Sequence, residues 1–105
     1  MKIDFLYYED CPSHDDALER LKKVIDEQCI EADISVRKVE TEQQAQEWKF
    51  VGSPTIRIEG RDIDPPASDA YYGLTCRAFR LENGRISPLP SEQMIREALK
   101  MAKTA

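Results

Sequence analysis

The chain has 105 residues, 41% hydrophobic and 33% charged, with a net charge of −5. That length and balance suit one ordinary globular domain with a modest core, expected to span residues 1–105. The negative charge argues against nucleic-acid binding, which needs clustered cations, and against an anionic membrane surface.

Met1-Lys2 precedes an apolar run that is broken by Asp4 and then by Glu9-Asp10. Such a run is too short and too acidic for a signal-peptide core, and no stretch approaches the roughly 20 apolar residues of a membrane span. A cytoplasmic location is the expectation. Thiols are kept reduced there, so the three cysteines, Cys11, Cys29 and Cys76, suggest reactivity, metal binding or packing rather than a disulfide scaffold.

In chain order, Lys2 to Tyr8 is rich in aromatic and branched residues and reads as a buried strand. Glu9-Asp10-Cys11-Pro12-Ser13 ends it. Ala17, Leu18, Leu21, Val24 and Ile25 then recur at helical spacing, with Ser13 as candidate N-cap and Asp15-Asp16 complementing the helix dipole. This helix is expected to fade near Cys29, which continues its apolar face and is assigned to packing. Ile34 to Val39 reads as a second strand, and Thr41-x-x-Gln44 as a capping box opening a short helix to about Trp48.

Val51-Gly52-Ser53-Pro54 leads into a third strand over Thr55–Ile58. Glu59-Gly60-Arg61 reads as a tight turn into a returning strand over Arg61–Asp64. Pro65–Gly73 is an expected loop, Leu74–Leu81 a further strand, and Asn83-Gly84 a turn. Pro88-Leu89-Pro90-Ser91 caps a terminal helix whose apolar face is Met94, Ile95, Ala98, Leu99 and Ala102. Trp48 and Phe50 are expected to pack the second helix on the sheet, and Arg77 and Arg80 to face solvent. The first strand–helix–strand stretch should form a right-handed unit with parallel strands.

Cys11-Pro12-Ser13-His14 at the first strand–helix junction, with Gly52-Ser53-Pro54-Thr55-Ile56 before the third strand, resembles the thioredoxin-like superfamily. Together with Tyr72-Gly73-Leu74-Thr75-Cys76-Arg77, these segments resemble small bacterial thioredoxin-like proteins, some labelled alkylmercury-lyase-like. The resemblance implies a three-layer fold, with a central mixed sheet of four to five strands flanked by three helices. It also implies a cis Pro54 facing the redox cysteine, with Pro12, Ser53, Pro54 and Thr55 around a bound thiol or peptide. His14 stands where those relatives carry a second cysteine, so no disulfide can close within the motif's own turn.

Cys11, between a strand end and a helix start, is the expected nucleophile. Backbone N–H groups and the helix dipole favour a thiolate there, against the opposing charges of Glu9, Asp10, Asp15 and Asp16. His14, one turn on, can stabilise that thiolate, act as a base, or simply fill the position. Cys76 follows the loop that returns toward Cys11. It is a candidate resolving thiol, a third ligand with Cys11 and His14 for zinc or a thiophilic ion, or a packed strand cysteine.

The expected function is thiol–disulfide exchange at Cys11, with Cys76 or an outside thiol resolving the mixed disulfide. Its partner is expected to be a protein or small-molecule thiol or disulfide, with no cofactor. The alternatives are thiophilic metal or organometal binding through Cys11, His14 and Cys76, and a redox-inactive binding module. Oligomeric state is left open.

Overall fold

The structure, a computed structural model, describes residues 1–66 and 70–104. It is a mixed α/β arrangement with a mixed four-stranded sheet and three helices. In chain order these are β1 (Lys2–Tyr7), α1 (His14–Glu27), β2 (Asp33–Lys38), α2 (Glu42–Glu47), β3 (Thr55–Ile58), β4 (Arg61–Asp62), β5 (Phe79–Arg80), β6 (Ile86–Ser87) and α3 (Glu92–Thr104).

The main sheet runs β2-β1-β3-β4, with β2 parallel to β1 and the β1–β3 and β3–β4 pairs antiparallel. Alternation along β1 splits the core between the two faces of the sheet. Ile3 and Phe5, with Ile56 and Ile58 of β3, meet Ala17, Leu21, Val24 and Ile25 of α1 and Ile95 and Leu99 of α3. Leu6 points the other way and packs with Val39, Ala45 and Phe50, the last two from α2 and the turn after it. Helix α3 is also fixed to α1 by polar contacts. Arg96 pairs with Glu27 at 2.8 Å, Lys23 with Glu92 at 3.2 Å, and Arg20 donates to the Pro90 carbonyl at 2.8 Å.

The turns follow local chemistry. The Thr41 hydroxyl accepts from the Gln44 N–H at 3.0 Å and so caps α2, as the capping-box pattern implies. The reciprocal bond goes one residue further back, with the Gln44 side chain accepting from the Glu40 N–H at 2.9 Å. Ser91 caps α3 by accepting from the Met94 N–H at 3.1 Å. The β3–β4 hairpin has positive φ at both Glu59 and Gly60, which matches the twist of the flanking strands.

Both α1 and α2 end in the same device. After α1, Cys29 takes a left-handed φ of 52°, its N–H bonds the Asp26 carbonyl, and the Ile30 N–H bonds the Ile25 carbonyl. After α2, Lys49 has φ 53°, its N–H bonds Gln46, and the Phe50 N–H bonds Ala45. These are Schellman closures, and each brings a hydrophobic residue back onto its helix. The expectation that Cys29 continues the apolar face of α1 is therefore corrected. The closure takes the chain off the helical path, leaving Cys29 exposed, and Ile30 packs against the core in its place.

Two further expectations change. The strand foreseen over Leu74–Leu81 is regular only at Phe79–Arg80, which pairs with β6 in a separate two-stranded ribbon, so the main sheet holds four strands. The returning strand is Arg61–Asp62, shorter than Arg61–Asp64, because the Asp62 carboxylate turns back to accept from the Asp64 N–H at 2.9 Å. The loop foreseen over Pro65–Gly73 contains residues 67–69, which lie outside the described residues; its other residues are neither helix nor strand. Among the described residues no helix is long and apolar enough to cross a membrane.

Candidate functional site

Past the end of β1, the Cys11 N–H closes a turn onto the Tyr8 carbonyl at 3.0 Å. This turn sets Cys11 just before α1. Ser13 occupies the N-cap position, but its side chain makes no capping bond. Its hydroxyl lies 3.7 Å from the Cys11 sulfur instead. The Tyr8 hydroxyl donates to the Asp10 carboxylate at 2.9 Å, and this bond, with the carboxylate charge, holds the phenol above its ordinary pKa.

Cys11 is only 1% exposed and is joined to Cys76 by a disulfide, with the two Cα atoms 5.7 Å apart and the two residues separated by 65 positions in sequence. The pairing rests on a backbone framework of its own. Ser53 and Cys76 form an isolated parallel bridge. The Ser53 N–H donates to the Thr75 carbonyl at 2.8 Å, and the Ser53 carbonyl accepts from the Arg77 N–H at 2.9 Å. The Ser53 hydroxyl accepts from the Tyr8 N–H at 2.9 Å, tying the same residue to the end of β1. Ser53, itself fully buried, is thus the junction between the two cysteine-bearing segments. The Ser53 carbonyl oxygen also lies 3.6 Å from the Cys11 sulfur.

Gly52 makes this approach possible. Its φ is +137°, and a Cβ built there would stand 2.9 Å from Arg77 Cβ and 3.0 Å from Arg77 Cα. Any side chain would push the Cys76 segment away. The Ser53–Pro54 peptide is cis, and the Thr55 hydroxyl is committed to the Gly52 carbonyl at 2.6 Å.

Arg77 is the residue that sequence reasoning misplaced. Expected to face solvent from a regular strand, it is 7% exposed. Its guanidinium makes two bonds of 2.9 Å to the Asp62 carboxylate and lies 4.6 Å from the centre of the Phe79 ring. It also donates to the Asp64 carbonyl. The Ser53 bridge replaces a regular strand here, so alternation no longer decides which way residue 77 points. The sequence signal that was open to reading was an arginine following Cys76, with the paired acids Asp62 and Asp64 upstream. Arg80 is exposed, as expected.

His14 stacks on Tyr7, ring centres 4.6 Å apart, and its Nδ1 is 3.2 Å from an Asp15 carboxylate oxygen. Pro12 is exposed, and Pro54 and Thr55 are buried. Of the expected set, the structure joins Cys11, Cys76 and Ser53 directly and turns His14 toward Tyr7 and Asp15. Among the described residues, no group of three or more His, Cys, Asp or Glu side chains is disposed to hold a metal ion.

Beside Cys76 opens a shallow pocket of about 320 Å³, lined by Val51, Asp64, Pro65, Pro66, Tyr71 and Thr75 among others. Tyr71 stands 70% exposed at this pocket. The arrangement is a disulfide whose two cysteine-bearing segments are also joined by hydrogen bonds that involve no sulfur. No family model, curated protein or solved structure matches the chain, so the reading of the site stands on this geometry and on the motif resemblance.

Proposed function

We propose that the chain is a thioredoxin-like thiol protein that exchanges disulfides through the Cys11–Cys76 couple. The observation that carries this reading is the disulfide between the motif cysteine and a distant cysteine, on two segments that both bond to Ser53. The second thiol that Cys-Pro-Ser-His lacks comes from outside the motif. The cis Ser53–Pro54 peptide beside it is what the resemblance implies, and it supports the thioredoxin-like reading of the fold.

Oxidation and reduction interconvert two states of one framework. The bonds from Ser53 to Thr75, Arg77 and Tyr8 involve no sulfur, so the reduced thiols stay close enough to reform their bond. The partner is a protein or small-molecule thiol or disulfide. In a reducing cytoplasm, the location proposed here, the dithiol is the resting form.

Equilibration against glutathione buffers of graded potential tests this. The fraction of Cys11–Cys76 disulfide is read by mass after alkylation of free thiols. A reversible transition with native structure retained on both sides is expected. A bond that glutathione and dithiothreitol reduce only on unfolding would be a structural crosslink, and the proposal would be wrong.

A further inference from the structure

We propose that Cys76, rather than the motif cysteine Cys11, is the sulfur at which exchange with an outside thiol takes place. This inference rests on the exchange function proposed above and reverses the order of attack that the motif alone suggests. Thiol–disulfide exchange needs the incoming sulfur to line up with the bond being broken, on the side away from the leaving sulfur. Access therefore selects which of the two sulfurs is attacked. Cys11 is 1% exposed, with its sulfur among the Ser13 hydroxyl and the Ser53 carbonyl. Cys76 is exposed and lines the pocket formed by Val51, Pro65, Pro66 and Tyr71, to which Cys11 contributes nothing.

The backbone points the same way. The resemblance places Ser53 beside a bound thiol or peptide, yet both its N–H and its carbonyl are already taken by Thr75 and Arg77. The chain's own Cys76 segment occupies that place. An outside molecule is left the exposed side of Cys76, which lines the pocket. With a volume of about 320 Å³ and walls that mix Asp64, Thr75 and Arg77 with Pro65, Pro66 and Tyr71, it suits one cysteine with its polar backbone neighbours, as in a small peptide thiol.

In the reductive direction the outside thiolate forms a bond to the Cys76 sulfur, and the Cys11 sulfur leaves with the electron pair of the broken bond. Cys11 departs beside the Ser13 hydroxyl and the first turn of α1, both of which favour the anion. A second outside thiolate then attacks the outer sulfur of the mixed disulfide and releases Cys76 as thiolate. The net change is two outside thiols oxidised to one disulfide and one protein disulfide reduced to two thiols. In the oxidative direction Cys76 attacks the outside disulfide, and Cys11 then displaces the outside thiolate from Cys76.

The experiment uses the full chain carrying Cys29→Gly, so that the exposed third thiol does not compete. The reduced protein is mixed with glutathione disulfide, quenched in acid at short times, and mapped by peptide mass. Transient glutathione on Cys76 is expected. In single variants, Cys11→Ser should accumulate the Cys76–glutathione adduct about tenfold or more faster than Cys76→Ser forms an adduct on Cys11. Glutathione on Cys11 in the otherwise unaltered chain, or equal rates in the two variants, overturns the order of attack and leaves the exchange function standing. If no adduct and no Cys11–Cys76 bond forms in any of the proteins, the exchange function itself fails. Mapping with both cysteines present makes the result independent of whether either single variant folds.

Discussion

Arg77 and Asp62 meet as a two-pronged ion pair, two bonds of 2.9 Å between side chains only 6% and 10% exposed. The pair ties the segment carrying Cys76 to the edge strand β4, and the guanidinium is backed by the Phe79 ring. Removing one partner strands the other charge in a poorly hydrated place, which costs about 3–5 kcal/mol in buried pairs. Arg77→Met should therefore lower stability by about 3 kcal/mol or more in urea unfolding. The double variant Asp62→Leu with Arg77→Met should recover most of that loss. A double variant no more stable than the single one would mean that the pair matters through its hydrogen-bonded geometry rather than its charge.

Reduction should also cost stability. A crosslink between residues 65 apart restricts the unfolded chain, by about 4 kcal/mol in the chain-entropy account. Urea midpoints of oxidised and reduced protein should differ correspondingly, and a Cys11→Ala, Cys76→Ala variant should match the reduced form. A reduced protein as stable as the oxidised one would show that the unfolded chain gains little freedom on losing the bond.

Gly52→Ala tests the close approach at Ser53. The new Cβ would stand 2.9 Å from Arg77 Cβ at a φ of +137°, which alanine adopts only under strain. A loss of about 2 kcal/mol is expected, with slower re-formation of the Cys11–Cys76 bond in glutathione buffer. An alanine variant that reoxidises at the original rate would show that the backbone bridge does not set the approach of the two thiols.

The end of α1 offers a change in the opposite direction. Cys29 holds φ 52° with its side chain exposed, at the position where helices favour glycine. Cys29→Gly should raise stability by about 1 kcal/mol, read from thermal or urea unfolding. An unchanged or lowered midpoint would mean that the side chain makes a contribution the backbone does not reveal.

Acid should expose the α1–α3 pair. The hydrogen bond and charge of Arg96 hold the Glu27 carboxyl below its ordinary range. A carboxyl depressed on folding contributes stability above its unfolded pKa and loses it as pH falls through the folded value. The stability difference between the protein and its Arg96→Gln variant should be present near pH 7 and shrink as pH falls below the ordinary carboxylate range. It should be small, since this pair is partly exposed. A difference that stays constant with pH would assign the effect of Arg96 to packing.

Local chemistry made much of the framework readable. The aromatic and branched run around Phe5, helical spacing from Ala17 to Ile25, the Thr41 cap and the Glu59-Gly60 turn each act within a few residues, and each is found where it was expected. Failures of reading came where distant segments meet. Arg77 was placed by alternation, but Asp62 and Ser53 govern it from 15 and 24 residues away. Cys29 was placed by extending a helix that its own backbone had already closed. The proximity of Cys76 to Cys11 was arguable from the returning chain, whereas the role of Ser53 in holding both was not, because main-chain bonds leave no mark on residue choice.

A Cys-x-x-Cys bond can form in an unstructured peptide, its ends being always near each other. The bond between Cys11 and Cys76 has no such shortcut. In an unfolded chain Cys29, only eighteen residues from Cys11, is the nearer competitor, favoured about sevenfold by loop closure alone. Oxidation before folding therefore tends to couple the wrong pair, and oxidation after folding the right one. The exposed position of Cys29 in the finished molecule removes it from contention only once the sheet is in place, so the oxidised couple is also a record that the chain folded first.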